Sequence, residues 1–202
     1  MNLSLGEFSA LVAKAFRGAG CSWGMTEEAS FSARRLAEFG FPAGEIIVRL
    51  LGSISGAAPG SLMPRADWQA PSDALCAVCV GTSIGDQAGC GDLVLDPTHE
   101  PALLAPLLME TLSPKSPTGY VLEWDGGGCE VTATAITAVG ELPVGAVAVR
   151  ISRRELDAVY PVTATRVGLD AETMAALEGF AHNIYAPATE ASRNAGAGGA
   201  DD

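Results

Sequence analysis

Residues 120–136 read YVLEWDGGGCEVTATAI, and this stretch decides the class of fold. Two strand-like runs flank Asp125-Gly126-Gly127-Gly128. Glycine takes the positive φ angles of a tight turn at little cost, so the segment reads as an antiparallel hairpin. Working outward, the continuous apolar runs Ala74–Val80 and Leu93–Leu95 read as buried strands, and Ala146–Ile151 as another. The leucines of Pro101–Leu112 fit a helix that Pro106 must bend or whose start it must shift, and Arg154–Val159 suits a short helix. Asp170 is placed to cap a last helix whose Met174, Leu177, Ala181 and Ile184 share one face.

The N-terminal third has a different texture. Ser4 and Glu7 have capping-box spacing, and Leu5, Phe8, Leu11, Val12, Ala15 and Phe16 follow at helical intervals until Gly18 and Gly20. A second helix is expected from near Thr26 to Glu38, with Glu27 and Glu28 in its first turn. A third is expected after Pro42, with Ile46, Ile47, Leu50 and Leu51 on its inner face. The expected class is α+β: a helical N-terminal part (1–52), a Gly/Pro/Ser-rich connector (53–73) anchored by Trp68, and a largely antiparallel sheet with packed helices (74–202). That last part ends in a helix and a Gly-rich tail, in which residues 185–194 read as ordered and 196–202 as a mobile end.

Composition narrows the function. The 202 residues carry a formal charge of −12, with five acids and five bases in residues 1–50, leaving 19 of the 24 acids and seven of the 12 bases beyond. An acidic body repels phosphate backbones and anionic lipid, so nucleic acid and membrane surfaces are excluded as expected partners. No apolar run approaches the roughly 18 residues of a membrane span. The N-terminal stretch reads as a helix and not a leader, so a cytoplasmic location is expected. Five cysteines, an odd number, are expected to be reduced thiols.

Candidate chemistry is sparse. Cys76-Ala77-Val78-Cys79 is a C-x-x-C, either half of a zinc site completed by Cys90 and His99 or a redox pair. On a strand, residues three apart point to opposite faces, so this reading favours buried structural cysteines and no metal. His99, in Asp96-Pro97-Thr98-His99-Glu100, is expected at a helix entry capped by Asp96. Lys14 and Arg17 are neighbours on the first helix, and Arg34 and Arg35 lie on the second near Trp23, able either to gather an anion or to pair with Glu27, Glu28 and Glu38. The C-terminal TEASRNAGAGG combines Glu190 and Arg193 with glycines whose backbone amides suit an anion. Phosphate-loop and zinc-protease motifs are absent from the sequence.

The runs LVAKAFRGAGCSWGMTEEASFSARRLAEFGFPAGE and IYAPATEASRNAGAGG resemble the two ends of a family of uncharacterised bacterial proteins of similar length. That resemblance implies that both ends belong to one module and supplies no catalytic residue. The first fifty residues are also faintly similar to the helical start of malate/lactate-type dehydrogenases, although Gly40-Phe41-Pro42-Ala43-Gly44 stands where that family carries Ser-His-Gly. The expected function is binding or processing of a small anionic metabolite, reaction unassigned and cofactor unknown. Arg193, Arg34, Lys14, Arg17 and Trp23 would hold the ligand, and Glu190 or His182 would move a proton. The rival expectation is a non-catalytic accessory subunit or assembly factor that docks on a partner protein or on a second copy of itself.

Overall fold

The computed structural model describes residues 1–71, 73–157 and 163–184. Three N-terminal helices are set by local signals. Strand β1 (Asn2–Ser4) leads into α1 (Leu5–Gly18), where Ser4 and Glu7 close the capping box: Ser4 N donates to Glu7 Oε2 at 2.8 Å and Glu7 N to Ser4 Oγ at 3.2 Å. Helix α1 buries Phe8, Val12, Ala15 and Phe16. Gly20, at φ +87, turns the chain, and Ser22 caps α2 (Trp23–Glu38). The cap thus lies four residues before the expected start, which moves Glu27 and Glu28 out of the first turn. Pro42 precedes α3 (Ala43–Ile54), whose Ile46, Ile47, Leu50, Leu51 and Ile54 are buried.

The C-terminal part is a six-stranded sheet in the order β2-β3-β7-β4-β5-β6, with β2–β3 parallel and every other pair antiparallel. The strands are β2 (Leu75–Cys76), β3 (Leu93–His99), β4 (Thr118–Trp124), β5 (Gly127–Val131), β6 (Ile136–Gly140) and β7 (Ala146–Glu155). The β4–β5 hairpin forms as the sequence requires, with Trp124 opposite Gly127 and Gly126 at φ +81. The sheet is one-sided, as antiparallel sheets often are. Leu95, Val149, Ile151, Leu122 and Cys129 are buried on one face, whereas Val94, Arg150 and Glu123 on the other are exposed. Strand β8 (Arg166–Gly168) pairs with β1, and α6 (Ala171–His182), capped by Asp170, packs against α1. Gly18 makes that contact possible, because a Cβ there would lie 1.8 Å from the Phe180 carbonyl oxygen. One continuous core therefore contains residues from both ends of the chain. The architecture is α+β.

Several expectations fail in instructive ways. Ala74–Val80 is not a strand: pairing stops at Cys76 and α4 (Ala77–Asp86) begins at once. A run buried on every side has no periodicity to separate strand from helix, so its period gave no warning. Asp96–His99 lies in β3, across a register shift between Leu95 and Thr98, and is not a helix entry. Asp96 instead accepts from the Ala70 amide at 3.0 Å, pinning the connector to the sheet. The predicted helix at 101–112 divides into a 3-10 turn (Pro101–Leu103) and α5 (Leu104–Met109), with Pro106 in the first turn, where its missing N–H costs nothing. Arg154 and Glu155 continue β7, so the helix expected at 154–159 does not start there. Among the described residues no helix is long and apolar enough to cross a membrane.

Candidate functional site

The replacement of a strand by α4 changes the chemistry of the C-x-x-C. Cys76 is the N-cap of α4 (φ −93, ψ 122) and Cys79 its third helical residue. Positions three apart on a helix are neighbours on one side, whereas on a strand they would diverge. Cys76 is fully buried, and Cys79, 6% exposed, forms part of a cavity wall.

The two thiols have opposite acidities. The Cys76 pKa is lowered, chiefly because the Cys79 thiol donates to its sulfur; burial opposes this, and the Cys79 and Val78 amides add to it. No strict cap hydrogen bond closes at Cys76, so the amides act by orientation, as the positive end of a helix does. The Cys79 pKa is raised because its proton is held toward Cys76, with burial and the Cys76 charge adding to the effect. Within the pair Cys76 is the more acidic thiol and Cys79 holds its proton the more firmly.

A third thiol faces the same space. Cys21 sits in the turn between α1 and α2, its amide bonded to Phe16 O at 3.0 Å and its carbonyl accepting from Arg17 Nη1. Burial pushes the Cys21 thiol up to about 11; the Cys76 charge adds to this, and Arg17 partly offsets it. Cys21 and Cys79 line a cavity of about 300 Å³, with Met25, Ile54, Leu62 and Met63 from α2, α3 and the connector. No charged side chain belongs to its wall among the described residues. His99 is the register partner of Cys76 across β2–β3, and its Nδ1 is buried without a hydrogen-bond partner among the described residues. Among those residues no group of three or more His, Cys, Asp or Glu side chains is arranged to hold a metal ion.

The residues picked for an anion site are dispersed where the structure describes them. The Arg17 guanidinium stacks 4.4 Å from the Trp23 ring centroid, so these two do meet, at the turn that carries Cys21. Arg35 pairs with Glu38 at 2.6 Å. Lys14 and Arg34 are exposed, with no ion pair among the described residues. Ser9 of α1 meets Ser30 of α2 at 3.4 Å on antiparallel helices. At 1.5 Å per residue, Lys14 and Arg34 then lie roughly 13 Å apart along the helix axes. His182 ends α6 on an exposed face. Glu190 and Arg193 lie outside the described residues. A larger cavity, about 670 Å³, is lined by Glu27, Glu28, Asp86 and Glu110 around Phe31, a wall of the wrong sign for an anion. Burial, then the neighbouring Asp86, Glu27 and Glu110 carboxylates, raise the Glu28 pKa.

Residues 3–74 match a family model described as a protein of unknown function (DUF3726). The match takes in the three N-terminal helices and the connector, and so includes Cys21 and the outer wall of the cavity but stops short of Cys76. It does not reach the C-terminal run of the resemblance noted from sequence, and no dehydrogenase similarity is found. No curated protein and no solved structure matches the chain.

Proposed function

We propose that the chain is a thiol-based redox protein whose working pair is Cys76 and Cys79. One observation carries the reading: the C-x-x-C opens a helix, with its first sulfur polarised by helix amides and its second facing a cavity. In the reductive direction the pair reacts from its singly ionised form: Cys79, the thiol at the wall, passes its proton to the Cys76 sulfur against the acidity order of the pair, and attacks one sulfur of a substrate disulfide. The substrate S–S bond breaks and its first thiolate leaves, taking the Cys76 proton. Cys76 then attacks Cys79 in the mixed disulfide and releases the second substrate sulfur. One protein thiol and one thiolate become a disulfide and the substrate disulfide becomes one thiol and one thiolate, so electrons, protons and charge balance. Binding of a small anionic metabolite remains a second proposal, resting on the exposed Lys14 and Arg34, and their separation gives it less support.

Mild oxidation tests the reading. The reduced protein is treated with diamide, quenched by acid, alkylated and mapped by peptide mass. The expected product has lost two hydrogens and carries a Cys76–Cys79 bridge, while Cys129 stays alkylatable. A protein that keeps all five thiols, or one that forms only intermolecular bridges, refutes it.

A further inference from the structure

We propose that the substrate of this dithiol is a small, uncharged, apolar disulfide, an inference that rests on the redox reading above. Size is the first argument. A cavity of about 300 Å³ stands at the lower end of small-molecule sites, which run from about 300 to 1,000 Å³, so it admits one compact ligand and not a polypeptide domain. The wall is the second. Met25 and Met63 offer polarisable thioethers, and Ile54 and Leu62 offer aliphatic surface. With no charged group in that wall, a carboxylate brought inside would lose its hydration without a partner. The body of the protein is the third argument, because a charge of −12 repels an anionic disulfide before it arrives.

The leaving group separates disulfides from hydroperoxides. Cleaving an O–O bond expels an oxyanion, which needs strong donors or a cation close by, whereas this wall offers the single hydroxyl of Ser22 and no cation among the described residues. Cleaving an S–S bond expels a soft, weakly basic thiolate, which an apolar sulfur-lined wall tolerates. The geometry of the thiols fits that order of events: Cys79 at the wall makes the first attack, and the buried Cys76 resolves it without solvent.

A matched pair of chromogenic probes tests this. The reduced protein is mixed with 4,4′-dithiodipyridine, which is neutral, or with 5,5′-dithiobis(2-nitrobenzoate), a dianion, and the rate of thiol release is divided by that of free cysteine. The protein is expected to prefer the neutral probe by about tenfold or more, with the preference kept in 1 M salt, where the Debye length is about 3 Å. Met63→Lys, at an exposed position of the wall, places a cation beside the cavity and is expected to reduce the preference while leaving the circular dichroism spectrum unchanged. Equal normalised rates, a preference that vanishes in salt, or faster oxidation by cumene hydroperoxide would each overturn the substrate class while the Cys76–Cys79 bridge still forms. If neither probe nor diamide yields that bridge, the redox reading itself fails.

Discussion

Cys129 gives a test of burial that is independent of the dithiol. It lies in β5 opposite Leu122 and Ala138, fully buried, and burial pushes its thiol from the ordinary 9.0 up to about 12. The folded chain therefore keeps this proton while the unfolded chain gives it up. Because the folded value is the higher one, the stability it confers is intact below pH 9 and is lost as pH rises from 9 toward 12. At pH 10 about ten of eleven unfolded molecules have ionised this thiol and almost no folded ones have. The loss is RT ln 11, about 1.4 kcal/mol, against under about 0.1 kcal/mol at pH 8. Urea denaturation under reducing conditions at the two pH values, for wild type and Cys129→Ala, isolates the effect. The variant starts lower because a buried sulfur is gone, but it should lose about 1.4 kcal/mol less between pH 8 and pH 10. The raised Cys21 and Cys90 thiols titrate in both proteins and cancel. Equal losses in the two proteins would show that Cys129 is hydrated in the fold, and would undo the reasoning.

Two further outcomes follow from the packing. Arg49 and Glu100 form a two-pronged ion pair at 2.8 and 2.7 Å that ties α3 to the end of β3, with the Glu100 side chain 4% exposed and that of Arg49 32%. Arg49→Met should cost about 3–5 kcal/mol by stranding a buried carboxylate; Glu100→Gln should cost less, since Arg49 reaches water. Denaturant midpoints of the two variants at pH 7.5 decide it, and equal costs would contradict the asymmetry. On α1, Gly6→Ala meets nothing within 4 Å and should stabilise by about 0.5–1 kcal/mol, whereas Gly18→Ala collides with the Phe180 backbone and should destabilise by about 1–3 kcal/mol. Thermal melts of the two variants should shift in opposite directions, and a shared sign would argue against the α1–α6 contact.

Much of the scaffold was legible because its signals are local. A serine three residues before a glutamate, a glycine after an apolar face, an aspartate before a helix and an Asp-Gly turn between strands each act within a few bonds of themselves. They hold for α1, α3, α6 and the β4–β5 hairpin whatever surrounds them. The candidate site was legible only as a pair of cysteines. Whether they face one another depended on whether residues 77–80 extend or coil. An apolar run buried all round carries no period to say which, so the choice was made by packing: β2 pairs with β3 for two residues and α4 then lies against α5, where Gly81 admits Leu107. The position of Cys21, more than fifty residues upstream, was invisible for the same reason. Sequence set the identity of the thiols and the spacing of the pair. Tertiary structure alone put Cys21 and Cys79 on one cavity wall with Cys76 buried beside them, because burial, and with it acidity, is a property of neighbours that come from distant parts of the chain.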